Sequence, residues 1–295
     1  MSRICLICNP TAKSGAAAKT IETVIGQLKE QNADYTVKTT QYPYHATELA
    51  KDALKEQYDV IAAVGGDGTV REVALGLIGT EAVLGILPCG TGNDFSRPLG
   101  ISTDLSSAID VLLNGEDRYV DAGQANEQIF FNVAGFGFDV DVLDYTELYK
   151  PKHKNGSIAY LRGVLKAMFD LKLRKTTLEF QDGTIEKNCL LTAAGNGTHF
   201  GGGMMVTPLA DYQDGLLDIC IIHDVNRFNL LTVLPRFMRG KHLGFHKLVT
   251  YRKEPWVKIT CDPVSRIEVD GERMDGTPVT FRILPNALKI RLPRK

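Results

Sequence analysis

The sequence predicts a two-part chain. An α/β N-terminal domain is built on a parallel sheet, and a C-terminal, mainly antiparallel β-sandwich domain with helical insertions follows. Three observations predict this. From residue 4 to about residue 123, short apolar runs alternate with segments of helical period. Two glycine-rich turns each follow a buried-looking strand. Beyond about residue 129 the alternation weakens and short strands joined by turns take over. Strand–helix alternation implies a parallel sheet, and turn-joined strands imply a sandwich. The division is expected at residues 1–124 and 125–295.

Composition narrows the class. An apolar content of 44% and a charged content of 23% are ordinary for a globular protein. The formal net charge of −1 argues against a nucleic-acid partner, so any charged docking surface must be local. No apolar run approaches the ~20 residues that cross a bilayer. Met1-Ser2-Arg3-Ile4 enters a strand directly and has no signal-peptide pattern. The six cysteines sit mostly in apolar runs, as reduced core thiols of a cytoplasmic protein do. Cys5 and Cys8 form a C-x-x-C, but on a strand they point to opposite faces and no second pair completes a zinc site.

Ile4 to Cys8 reads as a strand buried on both faces. It leads into Asn9-Pro10-Thr11-Ala12-Lys13-Ser14-Gly15 and a helix with Ile21, Val24, Ile25 and Leu28 on one face. Asn9 and Lys13 are placed to meet phosphates; alternatively Ser14 caps the helix and Lys13 is solvated. Tyr35 to Thr40 alternates as a second strand, and Ala46 to Glu56 as a helix. Val60 to Val64 is a buried strand that runs into Gly65-Gly66-Asp67-Gly68-Thr69 and a helix to Leu77. Glycines let backbone approach a ligand, and the helix start offers free N–H groups and a positive dipole end, which suit phosphate. A carboxylate among such amides repels phosphate unless a metal ion intervenes. Leu84 to Pro88 is the fourth strand, followed by Gly90-Thr91-Gly92-Asn93-Asp94-Phe95. Two such turns on successive parallel strands converge at one sheet edge, where open α/β folds bind ligands. Ala108 to Leu113 is helical and Tyr119 to Gly123 a strand.

In the second half, Phe130 to Asp139 reads as a strand and a glycine-rich turn. Residues 140–175 read as helical, amphipathic and basic, with Lys150, Lys152, Lys154, Arg162, Lys166, Lys172, Arg174 and Lys175 beside an apolar face of Ile158, Leu161, Leu165, Met168 and Phe169. Such a surface suits anionic lipid, or is simply a solvated face. Asp182-Gly183 joins two strands as a hairpin. The glycines from Gly195 to Gly203 suggest a loop pressed against a ligand or a second backbone. Strands are expected at 216–222, 256–261, 265–269, 279–284 and 287–292. Phe228 to Arg239 is expected to be helical, with Pro235 kinking or breaking it. Residues 225–253 form a second basic stretch. Asp211, Asp214 and Asp218 give an oxygen-rich loop of the kind that favours magnesium or calcium.

The Gly65–Thr69 pentapeptide occurs in diacylglycerol and sphingosine kinases, NAD kinases and phosphofructokinases. Its companions are Asn9-Pro10, Pro88 to Phe95, Pro208, Ala210, Asp214 to Asp218 and Val269-Asp270-Gly271-Glu272. That set, in that order and over nearly the whole chain, resembles the bacterial diacylglycerol kinase/lipid kinase family. The resemblance implies an N-terminal domain like those of NAD kinase and phosphofructokinase. It implies ATP and Mg2+, with transfer of the γ-phosphoryl group to a lipid alcohol, diacylglycerol giving phosphatidic acid. It places ATP contacts at Asn9, Pro10, Lys13, Thr40, Gly65, Gly66, Asp67, Gly68, Thr69, Glu72, Gly90, Thr91, Asn93 and Asp94. The loop after Asn9 is longer than the family's, so Lys13 and Lys19 are both candidates for the phosphate lysine. Asp67 helps to place the catalytic magnesium. Glu272 is the favoured proton acceptor, with Asp270 as its metal or orienting partner, or the reverse. A structural magnesium is implied at Asp211, Asp214 and Leu216, partly through backbone carbonyls. Asp121 matches an acid near the site, or is a strand-end turn residue. A cytoplasmic enzyme, peripheral at the inner membrane face and often a homodimer, is the implied setting. An NAD kinase is the runner-up, and a catalytically silent nucleotide-binding regulator is the reading from another class.

Overall fold

The computed structural model describes residues 2–12, 17–149 and 156–294, without the side chains of residues 156 and 157. Lys13, Ser14, Lys150, Lys152 and Lys154 therefore lie outside the described residues. The first half alternates β1 (Arg3–Cys8), α1 (Ala17–Glu30), β2 (Asp34–Thr39), α2 (His45–Lys55), β3 (Val60–Gly65), α3 (Asp67–Leu77), β4 (Val83–Pro88), α4 (Leu105–Asn114) and β5 (Glu116–Ala125). The strands run in parallel in the order β2-β1-β3-β4. β1, β3 and β4 are almost wholly buried, as their continuous apolar runs require. Cys8 lies opposite Val64, and Gly65 opposite Pro88. This register makes the loops after β1, β3 and β4 leave the sheet side by side.

In the second half, β6 (Gln128–Phe130) and β7 (Val133–Gly137) precede α5 (Phe138–Tyr149) and α6 (Gly156–Asp170). Next come β8 (Arg174–Phe180), β9 (Gly183–Gly195), the small hairpin β10 (His199–Phe200) and β11 (Met204–Met205), β12 (Leu217–His223) and α7 (Arg227–Phe237). The chain ends with β13 (Val249–Glu254), β14 (Trp256–Asp262), β15 (Ile267–Val269), β16 (Glu272–Met274) and β17 (Val279–Leu292). Pairing here is antiparallel, in the order β16-β15-β7-β9-β8-β14-β17, with β12 on β9 and β13 on β12. Period-two alternation divides the buried side chains. Ala194, Ile219 and Ile221 join Phe130, Phe136, Leu178, Val257 and Phe281 in one core. Leu191, Ala193, Cys220 and Ile222 face the other way, onto Val142 of α5, Ala167 of α6 and Val233 and Phe237 of α7.

The structure corrects three details of the expected elements. The strands expected at 279–284 and 287–292 are one strand, β17, with a register shift between Leu284 and Leu288 and a left-handed Asn286 (φ 51°). Its first part pairs with β14, and its last part lies parallel to β4, where Leu288, Ile290 and Leu292 join the α/β core. α7 is not broken at Pro235 but runs only two residues beyond it, to Phe237; the proline lacks the N–H that would reach the Leu231 carbonyl, and the helix stops within the same turn. Residues 249–254 form an edge strand, not a free basic stretch. Arg252 is paired with Asp182 and Glu254, and Lys253 with Asp214 and Asp218. Charged side chains are a usual way of protecting such an edge.

Candidate active site

The two glycine turns meet. A Cβ on Gly90 would stand 2.6 Å from the Gly66 Cα, and one on Gly65 2.5 Å from the Thr69 Oγ1. Only glycine permits that approach. The chain closes these turns with its own side chains. Asn93, left-handed at φ 52°, accepts from the Gly90 N–H and donates to the Gly90 carbonyl. The Asn9 Nδ2 donates to the Thr69 Oγ1 at 3.2 Å, so the loop after β1 is tied to the start of α3. The Thr40 N–H reaches the Cys8 carbonyl at the same edge. Gly66 caps α3 and no side-chain acceptor covers the helix start, which leaves N–H groups for an anion. Pro10 and Thr91 lie on these same loops and Gly68 in the first turn of α3, Gly68 and Thr91 exposed. Glu72 is placed differently: its carboxylate accepts from the Ala46 N–H and caps α2.

The acids come from both halves of the chain. The Asp67 Oδ1 accepts from the Phe95 N–H, and the Asp94 Oδ2 from the Gly202 N–H at 2.6 Å. Gly201, Gly202 and Gly203 all have positive φ, and the Gly202 N–H of this loop is the donor to Asp94. Burial pushes the Asp94 carboxyl up, and the nearby Asp67 adds to the rise. The buried Asp94 Oδ1 accepts no hydrogen bond and faces only the Arg97 Nε, at 3.9 Å. A cation at Asp67 and Asp94 would satisfy that oxygen, so these two acids fit magnesium.

Across the cleft, Asp270 (φ 48°) ends β15. Its Oδ2 accepts from the Phe131 N–H at 2.7 Å, and its Oδ1 from those of Asn132 and Val133. Burial pushes its pKa up to about 6, against the pull of those N–H groups and of Arg71. Arg71 on α3 stands 3.8 Å from Asp270 through Nε and 2.9 Å from Glu272 through Nη1. It is 9% exposed. The Tyr44 hydroxyl, on the loop before α2, also reaches the Glu272 Oε1 at 3.4 Å. Arg71 is the site residue that the motifs did not single out. Its one signal in the sequence is a charge flanked by the inward-facing Val70 and Ala74 of a helix.

These groups line a cleft of about 250 Å³ with Asp67, Arg71, Asp94, Glu268 and Asp270 on its walls. Leu143, Phe200, Gly201 and Glu268 also line a second, apolar cavity of about 100 Å³ between α5, α6 and α7. Over that cavity, α6 and α7 expose Leu161, Leu165, Phe169, Phe228 and Leu231; Phe169 is 67% exposed and Phe228 79%.

Asp121 and the acidic loop lie elsewhere. Asp121 is 2% exposed and accepts from the N–H groups of Gly215 and Asn286, joining β5 to that loop and to the bend in β17. The Asp211 Oδ1 accepts from the Gln213 N–H and the Asp214 Oδ1 from the Leu216 N–H, while the Asp214 Oδ2 is paired with Lys253 at 2.6 Å. Among the described residues no group of three or more His, Cys, Asp or Glu side chains is arranged to hold a metal ion. An ion in this loop would therefore depend on backbone carbonyls.

Two family models match the chain. A family model described as the diacylglycerol kinase catalytic domain matches residues 3–125, and one described as a YegS C-terminal NAD kinase beta sandwich-like domain matches residues 132–292. A diacylglycerol kinase of Mycobacterium tuberculosis is 31% identical, with 100% of this chain and 96% of that protein aligned. One of Bacillus subtilis is 29% identical over 100% of this chain and 98% of that one. The crystal structure of a diacylglycerol kinase from Bacillus anthracis shares the fold, with a TM-score of 0.75 and 21% identity over 99% of this chain and 97% of that one. Among the described residues no helix is long and apolar enough to cross a membrane.

Proposed function

The chain belongs to the diacylglycerol kinase catalytic-domain family, a family of kinases, and from that premise we propose that it transfers the γ-phosphoryl group of ATP to the hydroxyl of diacylglycerol. The observation that carries this reading is one cleft lined by Asp67 and Asp94 of the two glycine turns and, from the other half of the chain, by Asp270, with Arg71 of α3 paired to Asp270 and Glu272 at its edge. Phosphoryl transfer is largely a matter of positioning and charge neutralisation, and the cleft offers groups for both. Asn9, Thr40, Thr69, Gly90, Thr91 and Asn93 would shape the nucleotide side. Asp67 and Asp94 would hold magnesium, which when bound supplies positive charge against the phosphates.

The two acids on the far wall differ in what they have left to offer. Asp270 has both oxygens committed to three backbone N–H groups. Glu272 uses Oε1 for Arg71 and Tyr44, and its Oε2 has no partner among the described residues. Glu272 is therefore the proton acceptor, and Asp270 orients it through Arg71.

At about 100 Å³ the apolar cavity is well below the ~300–1,000 Å³ of pockets that enclose a drug-sized ligand. It would take only the first methylenes of an acyl chain, and the remainder would stay in the bilayer under α6 and α7. Their exposed apolar side chains, with Arg227, Arg236 and Lys166 around them, suit an anionic lipid surface.

Transfer of labelled γ-phosphate to diacylglycerol in mixed micelles tests the assignment. Glu272→Gln is expected to lower kcat by ~10²–10⁴, as loss of a general base does. Asp270→Asn is expected to lower kcat less and to retain a pH dependence. Full activity in both variants would remove the base from this turn.

A further inference from the structure

The cavity beside the cleft is apolar over Phe138, Val142, Leu191, Leu234 and Phe237. Into this lining the chain puts two acids that the reaction above leaves without a role. Asp139, in the first turn of α5, is 9% exposed, and Glu268 of β15 is 6% exposed. Of the two spaces, Asp139 borders the cavity alone, whereas Glu268 borders both cavity and cleft. A Cβ on Gly135 of β7 would stand 3.4 Å from the Asp139 Oδ2, so that oxygen lies against the sheet. The Asp139 Oδ1 is buried and has no hydrogen-bond partner. The Glu268 Oε1 accepts from the Gly271 N–H at 2.7 Å, which leaves Oε2. Among the described residues no basic side chain forms an ion pair with either acid: Arg174 of β8 is spent on Asp141 at 2.7 Å, with Lys172 3.9 Å from the same carboxylate.

Tyr160 of α6 is the third polar group of the lining. Its hydroxyl donates to the Met204 Sδ at 3.8 Å, so its oxygen is still able to accept. A Cβ on Gly201, which borders both spaces, would stand 4.0 Å from that hydroxyl. A buried acid without a donor is costly, and the missing donor is ordinarily supplied from outside the chain. The oxygens offered here suit a compact, positive group with several donors. A protonated amine has three N–H groups and needs little room; an ester brings acceptors only.

We propose that Asp139 and Glu268 form an ammonium subsite, and that the cleft therefore also takes a lipid amino alcohol, its amine held by these acids in the cavity and its hydroxyl turned to the cleft. The proposal rests on the reading of the cleft as a lipid kinase site and names a second acceptor class for it. Glu268 is the acid common to both spaces, which sets the amine close to the hydroxyl along the acceptor. In turnover a P–O bond forms to the acceptor's hydroxyl oxygen, the bond from the γ-phosphorus to the bridging oxygen breaks, and ADP leaves. The hydroxyl proton goes to Glu272. The amine keeps its protons and its place.

Equilibrium binding without nucleotide or magnesium tests the subsite apart from the chemistry. The probes are octanol with an amine beside its hydroxyl, the N-acetyl derivative of that amine, and plain octanol, each titrated by calorimetry near neutral pH. The amine is expected to bind about 10–100-fold more tightly than the other two, the scale of a hydrogen bond to a charged group. Asp139→Asn is expected to remove most of that advantage and Glu268→Gln to reduce it, with a cooperative thermal transition in each variant as the sign of a folded chain. Because Asp139 borders the cavity and not the cleft, its substitution separates this subsite from Asp67, Asp94 and Asp270. Equal binding of the amine and plain octanol by the wild type would overturn the proposal without any variant, and so would an advantage kept in full by Asp139→Asn. In the γ-phosphate assay the amino alcohol is expected to be labelled on oxygen, with a KM about tenfold or more below that of octanol. Tight binding of the amine with no transfer to any lipid alcohol would overturn its use as an acceptor, and with it the kinase reading, while the ammonium subsite stood.

Discussion

Replacing Arg71 by methionine strikes the junction of the two halves. The guanidinium is buried, 2.9 Å from the Glu272 Oε1 and 3.8 Å from the Asp270 Oδ2. Breaking a buried ion pair by removing one partner costs ~3–5 kcal/mol, because a buried charge is left uncompensated. Two features reduce that here. The Glu272 side chain is 41% exposed, so water screens its share, and the buried Arg71 Nε has no hydrogen-bond partner to lose. The net loss is about 2–3 kcal/mol. With an unfolding entropy of ~2.1 cal/mol/K per residue, this corresponds to a fall in Tm of roughly 3–5 °C. Arg71 also holds the Asp270 pKa down toward about 6. An ionised Asp270 accepts three N–H groups; a protonated one accepts fewer. Activity should therefore be present above about 6 and lost as pH falls through it, and Arg71→Met should move that limb upward. Arg71→Lys keeps a charge but not the fork that reaches two acids, and should restore little. Thermal scanning and γ-phosphate transfer across a pH series read all three effects. A Tm within 1 °C of wild type together with an unmoved acid limb would refute the role given to Arg71.

The glycine contacts and the exposed apolar surface give two more expected outcomes. Gly90→Ala puts a methyl 2.6 Å from the Gly66 Cα, where backbone must yield. It should cost ~1–3 kcal/mol and raise KM for ATP, whereas Gly68→Ala, with nothing within 4 Å of the added Cβ, should leave Tm unchanged; thermal scanning and ATP titration check both. Changing Phe169, Phe228 and Leu231 together to serine should abolish co-sedimentation with phosphatidylglycerol vesicles, yet leave turnover of a short-chain, water-soluble diacylglycerol within about twofold, because the cleft lies beneath that surface and not in it.

The parallel sheet was readable in the sequence because β1, β3 and β4 are continuous apolar runs, a pattern forced by burial on both faces. The meeting of the glycine turns was readable with it, since adjacent parallel strands end at one edge. Arg71 was not readable: a basic residue in a helix looks solvated until its neighbours are known, and those neighbours are Asp270 and Glu272, some 200 positions away. β13 was hidden for a related reason. Its Arg252 and Lys253 look like a free basic surface until Asp182, Glu254, Asp214 and Asp218 are brought beside them. The bend in β17 depends on Asp121, which captures the Asn286 N–H from 165 positions away.

The most direct measurement offers γ-labelled ATP and magnesium to the protein with diacylglycerol in mixed micelles, a sphingoid base and NAD in parallel. Label in phosphatidic acid is the expected result. Label in NADP, or none in any acceptor while ATP still binds, would contradict the assignment of a lipid hydroxyl to this cleft.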